Sequence, residues 1–252
     1  MKTVRRIIAP LVIAMALVLT ATSPTFAFKQ AGSDYEWITH NDTYSIHPVC
    51  AAENFDREDG DGWNYNLQRH DAVRDMVQQF NNLGLKVGYY MTNTRCASLG
   101  NDKLEIRWVG GSGAPNNPLG FTSIAYYQST VTDWPCYSHC VRVAQIVFDT
   151  DEYLHLDGDP FRNWTYTSQG SISNNQLDFR QTLLHELGHA GGLGHTDVRN
   201  SIMCSEDKVY PCNHVEEIYG PGTVDRTYDQ DDIDGFCSLW KDDPSDPGNV
   251  CN

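Results

Sequence analysis

His185-Glu186-Leu187-Gly188-His189-Ala190-Gly191-Gly192-Leu193-Gly194-His195 is the stretch on which the reading of the whole chain turns. Three histidines, an acid and a glycine stand in it at fixed offsets. On an α-helix, residues four apart lie one turn apart on the same face, so His185 and His189 present both imidazoles to one point. Phe179, Leu183, Leu187 and Ala190 are spaced four, four and three. They form an apolar stripe centred roughly 140° from the two histidines. Such a helix packs on one side and leaves the other for chemistry. The pattern predicts a helix from about Gln176 to Ala190, with Ser173 or Asn174 near its start.

Gly192 can take a positive φ at little cost. It lets the chain leave the helix sharply and bring His195 back toward His185 and His189. Three neutral imidazoles with a fourth position open are the ligand set of a catalytic zinc, whereas a structural zinc takes four protein ligands. Glu186 adjoins the first ligand and points to the flank of the metal, which suits a general base acting on zinc-bound water. Five fixed positions leave little room for coincidence. The expectation is hydrolysis of a peptide bond, with protein or peptide as substrate.

Composition narrows the setting. The chain has 252 residues, 40% hydrophobic and 11% aromatic, with a formal net charge of −15. That is globular composition, and the acidic excess argues against nucleic acid or an anionic membrane surface as partner. Lys2, Arg5 and Arg6 precede an apolar run from Ile7 to Leu19, and Thr25-Phe26-Ala27 supplies a cleavage site. Residues 1–27 therefore read as a secretory signal peptide; the run falls short of the roughly 20 residues a spanning helix needs. The chain is expected to be secreted and monomeric.

All eight cysteines lie beyond that segment: Cys50, Cys96, Cys136, Cys140, Cys204, Cys212, Cys237 and Cys251. An even count in an exported chain implies disulfides, whose connectivity sequence alone does not fix. Proximity favours Cys136 with Cys140, Cys204 with Cys212 and Cys237 with Cys251, leaving Cys50 with Cys96. Cys136, His139 and Cys140 have an alternative reading as metal ligands.

Moving outward, Tyr35 to His47 has strand composition and residues 51–63 read as an acidic, Gly-rich loop. Leu67 to Leu83 has helical apolar spacing and ends at Gly84. Strands are expected at Leu85–Met91, Lys103–Val109, Leu119–Gln128 and Val141–Phe148. Residues 155–175 read as polar loop, and a last helix as Gln230 to Trp240. Strands with one early helix and two late ones make an α+β, or mixed α/β, chain.

With these pieces in place the chain resembles the metzincin metallopeptidases, and within them the matrixins. The long histidine motif is the signature of that clan. Ser201-Ile202-Met203 resembles its Met-turn, with Met203 beneath the zinc site. Tyr228 to Phe236, with Asp231 and Asp232, resembles the matrixin C-terminal helix, whose paired acids hold it against the Met-turn. Val147 to Glu152 resembles a strand end that feeds a calcium site, which makes Asp149 and Glu152 the implied calcium ligands. The resemblance implies a twisted five-stranded mixed sheet with two long helices, the second carrying the active site, and a small C-terminal subdomain with a final helix. Leu119–Gln128 corresponds to the strand bordering the cleft, and Cys204 to Thr227 to the wall of the pocket for the residue after the scissile bond. The catalytic domain would run over residues 28–240, followed by a tail, 241–252. Val147 stands where matrixins have a histidine ligating a second zinc, and the Pro-Arg-Cys-Gly prodomain motif is absent. Two alternatives remain beside a zinc endopeptidase: an inactive zinc-containing binding protein, and a peptidase of another metzincin branch.

Overall fold

The computed structural model describes residues 29–30, 35–37, 45–51, 67–85, 87–95, 103–109, 120–127, 139–149, 163–168, 171–172, 176–204, 222–223 and 226–239. Residues 1–27 and 241–252, Glu152, Cys96, Cys136, Cys212 and Cys251 lie outside them. No helix among the described residues is long and apolar enough to cross a membrane.

The elements run β1 (Lys29–Gln30), β2 (Tyr35–Trp37), β3 (Ser45–Ala51), α1 (Leu67–Asn81), β4 (Val87–Arg95), β5 (Lys103–Val109), β6 (Gly120–Tyr127), β7 (His139–Asp149), β8 (Asn163–Thr165), β9 (Ser171–Ile172), β10 (Gln176–Asp178), α2 (Phe179–Ala190), β11 (Leu193–Gly194), β12 (Gly222–Thr223) and α3 (Gln230–Leu239). The class is mixed α/β. In the main sheet β4, β3, β5 and β7 follow one another in parallel, and β6 closes the far edge antiparallel to β7. A sixth strand joins the five expected. β2 pairs in parallel with His139–Val141, while β5 pairs with Val143–Asp149. Because β6 occupies the other side of both stretches, β2 and β5 lie end to end along one edge of β7.

Alternation along the strands sets the core. Val49, Leu104, Ile106, Ile146 and Phe148 are fully buried on one face, and Cys50 and Val147 are buried on the opposite face. The first five join one cluster with Ala72, Val73, Met76, Val77 and Phe80 of α1 and Phe179, Leu183, Leu184 and Leu187 of α2. Gly84 ends the α1 segment at φ +64°. The Asn81 amide then donates to the Tyr89 carbonyl and accepts from the Tyr89 N–H, which ties the end of α1 to β4.

Two expectations need correction. Residues 155–175 are not all loop, since β8 and β9 lie within them. Trp164 is the reason: its ring stacks edge-on against Phe148 and Phe179 and so anchors its segment to the core. The start of α2 is also later than Ser173 or Asn174. Gln176–Asp178 stay extended, paired in parallel with Asn163–Thr165. Asp178 is the N-cap, its Oδ1 accepting from the Gln181 N–H at 3.0 Å.

Candidate metal centre

Helix α2 carries His185, Glu186 and His189. Its N-terminus is held from two sides. Asp178 is fully buried; Oδ1 caps the helix and Oδ2 accepts from Arg226 Nε at 2.8 Å. Arg180 bonds Asp75 of α1 and the Tyr166 carbonyl. Near its middle, Tyr228 Oη donates to the Leu184 carbonyl at 2.7 Å; burial, then the nearby Asp232 charge, raises the Tyr228 pKa well above the usual phenol value. The C-terminal end is shaped by glycines. Gly192 has φ +102°, and a Cβ at Gly191 would lie 2.6 Å from Phe236 of α3. These two positions let the chain turn while α3 packs against it.

The turn brings His195 to the other two rings. His195 Nε2 lies 3.2 Å from His185 Nε2 and 3.1 Å from His189 Nε2. The second ring nitrogens are committed elsewhere. His185 Nδ1 is 2.6 Å from the Ile202 carbonyl oxygen, and His189 Nδ1 is 2.7 Å from that of Leu193. A carbonyl can only accept, so both Nδ1 atoms carry the proton and both Nε2 atoms present lone pairs. Lone pairs converging at this range repel unless a cation lies among them. Two imidazole nitrogens at about 2.0–2.1 Å from a tetrahedral ion stand roughly 3.3–3.4 Å apart, close to the separations found. The donor set therefore fits a divalent metal, and His195 leaves the site exposed on one side.

Beneath the rings lies a tight turn, Ser201–Cys204. Cys204 N–H donates to the Ser201 carbonyl and Thr196 N–H to the Met203 carbonyl, both at 3.0 Å. Met203 is buried, and its sulfur lies where a Cβ on Gly188 would be, 2.3 Å away. Asp232 of α3 organises this turn. Its Oδ1 accepts from Ser201 Oγ at 2.5 Å, and its Oδ2 from the N–H groups of Ile202 and Asp229, each at 3.0 Å. Burial raises the Asp232 carboxyl to about 7, against the lowering effect of the Ser201 hydrogen bond.

The remaining sequence-predicted residues are placed as follows. Glu186 is buried in α2, next in sequence to His185. Asp149 ends β7, and its implied partner Glu152 falls outside the described residues. Cys50, Cys204 and Cys237 are disulfide-bonded, and Cys140 lies in β7. Each of the four pairings favoured by proximity includes a cysteine outside the described residues. Asp178, Gly188, Gly191 and Arg226 escaped sequence reasoning, as did the contact of Ser201 with Asp232. Asp178 had a visible signal, an acid directly before the apolar stripe begins at Phe179. Gly188 had none, because its importance lies in a contact made across the fold.

Comparison with known proteins gives three findings. Residues 133–240 match the family described as matrixin. A matrix metalloproteinase-C of Caenorhabditis elegans is 25% identical over 222 residues, covering 80% of this chain and 32% of that protein. The chain thus spans about a third of the length of that relative. Among solved structures, the GM1-bound form of the ECX AB5 holotoxin is similar over 77% of this chain and 79% of that one, at 14% identity and a TM-score of 0.39, too low to carry an argument. The two sequence matches make the chain matrixin-like and point to a metallopeptidase.

Proposed function

We propose that this chain is a secreted, zinc-dependent endopeptidase that hydrolyses peptide bonds in proteins. The observation that carries the reading is the convergence of three Nε2 atoms, two of them with their tautomer set by a backbone carbonyl. His185, His189 and His195 would hold the ion through those atoms. When bound, zinc supplies Lewis acidity, lowering the pKa of a water to about 7 and polarising a carbonyl. Glu186 takes the proton of the attacking water and returns it to the departing amine. The core stripe of α2 and the Met203 turn keep the three rings from drifting apart. Among the described strands β6 pairs only with β7, so its other edge offers backbone donors and acceptors to an extended peptide.

The test measures metal content and cleavage of casein or a peptide library together. About one zinc per chain, activity lost to a chelator and restored by zinc, is the expected result. Glu186→Gln should retain zinc and lose roughly 10²–10⁴ in turnover. Cleavage indifferent to chelation would sink the reading. A chain that binds zinc tightly but cleaves nothing would instead be the zinc-containing binding protein.

Export rests on residues 1–27 and on the even cysteine count. The acidic balance supports a monomer that avoids nucleic acid and membranes. Calcium at Asp149 and Glu152 is supported by the matrixin resemblance and by the oxygen-rich sequence after β7. An unchanged Tm when millimolar calcium is added to chelated, zinc-restored protein would remove it.

A further inference from the structure

The two helix ligands are not supported alike. His189 Nδ1 donates to the Leu193 carbonyl, whose peptide runs on into Gly194 of β11, paired with Lys29 of β1. His185 Nδ1 donates to the Ile202 carbonyl, at 2.6 Å. That carbonyl shares its peptide plane with the N–H of Met203. The Met203 N–H lies 3.0 Å from Ser201 Oγ and 3.4 Å from Asp232 Oδ1. Ser201 Oγ in turn donates to Asp232 Oδ1 at 2.5 Å. Ser201 is fully buried and Asp232 is 1% exposed, so no solvent screens the chain of bonds. The order is imidazole N–H to carbonyl, peptide N–H to hydroxyl, hydroxyl to carboxylate, with every donor pointing toward the acid.

We infer that Ser201 and Asp232 are positioning residues for His185, acting through the Ile202–Met203 peptide to fix its tautomer and raise the basicity of its Nε2 toward the metal. Hydrogen bonds in series polarise one another, and low dielectric strengthens each. In its ionised form the Asp232 carboxyl draws the Met203 proton, which makes the Ile202 oxygen a stronger acceptor for the ring N–H. Carboxylates that bond a metal-ligating histidine directly act the same way; here one peptide and one hydroxyl are interposed. The Ile202 N–H bond to Asp232 Oδ2, at 3.0 Å, keeps the turn from rotating the carbonyl away. This inference rests on His185 being a metal ligand.

The experiment uses the full secreted chain, ¹⁵N-labelled, with and without zinc. In zinc-free protein the His185 Nδ1 proton should resonate downfield of the His189 Nδ1 proton. Ser201→Ala should move the His185 signal upfield, or replace it with a mixture of tautomers, while leaving His189 unchanged. Its zinc Kd, read by competition with a chromophoric chelator, should rise roughly 10–100-fold, the usual effect of losing an outer partner of a ligand. An unchanged Kd would overturn the inference. So would equal loss of both histidine signals, which would mean general loosening of the turn. If the alanine variant does not fold, the wild-type order of the two proton shifts still decides, since the reverse order contradicts the relay. Failure of wild-type protein to take up zinc would overturn the metal reading separately, because the proton measurement is made without zinc.

Discussion

Replacing Gly188 with alanine puts a methyl carbon where Met203 already stands. The new Cβ would lie 2.3 Å from the Met203 sulfur, 3.2 Å from Cε and 3.5 Å from Cγ. Carbon-sized atoms rest at roughly 3.5–4.0 Å, so the sulfur must retreat by more than an ångström. Met203 belongs to the buried core cluster, so any retreat displaces packed neighbours. Overpacking of this kind costs about 1–3 kcal/mol. Alanine regains about 0.8–1.0 kcal/mol in a helix interior relative to glycine. The balance is a loss of about 0–2 kcal/mol, which for a domain of this size lowers Tm by up to about 8 °C at roughly 2–4 °C per kcal/mol. The sharper statement concerns sign. Met203→Ala removes the sulfur and leaves a cavity, at a cost of about 2–5 kcal/mol. In that background the added methyl meets open space, so Gly188→Ala should become neutral or stabilising by up to about 1 kcal/mol. Urea unfolding of the four zinc-free proteins measures the cycle. A Gly188→Ala cost that is the same with and without the methionine would show that the sulfur contact does not explain the glycine.

Asp178→Ala should be among the most damaging changes outside the motif. It removes the α2 cap and strands the Arg226 guanidinium, and breaking a buried pair costs about 3–5 kcal/mol; a Tm within a few degrees of wild type would contradict this. A pH series tests Asp232. Its carboxyl is raised from 3.8 to about 7, by burial first and by the neighbouring Asp229 charge. Its contribution to stability is therefore complete below about pH 4 and lost as pH rises through about 7. The Tm gap between wild type and Asp232→Asn, both zinc-free, should narrow between pH 5 and 8; a widening gap would reverse the sign. Loss of His195 should weaken zinc retention with little effect on zinc-free stability, since the ring is exposed and fills no core.

Much of the fold was legible because period and spacing are local. Lys103–Val109 is bounded by the structure as it was by sequence, and α1 falls within two residues of its expected end, since Asn81 precedes the glycine that stops it. What was missed depends on partners distant in sequence. Three-residue β8 and β10 are strands only because each supplies the other's ladder. Short segments carry too few residues for a period to show.

The site was legible in its side chains but not in its backbone. Spacing within residues 185–195 brings three imidazoles together, and nothing in that spacing says which nitrogen of each ring faces inward. That choice belongs to two carbonyls from different places. Leu193 is aimed by the left-handed turn at Gly192, a feature inside the motif. Ile202 is aimed by a carboxylate thirty residues further on, a feature outside the histidine motif. The two aims should fail independently. Gly192→Ala forces a side chain into a positive φ and should disturb the His189 ring first, because the carbonyl that moves is Leu193. Removing Ser201 should disturb the His185 ring first. Both changes weaken zinc binding, so affinity alone does not separate them; the ring-nitrogen shifts do. If either change perturbed both rings equally, the ligands would be held as one block by the packing of α2, and the carbonyl acceptors would be incidental to ligand geometry.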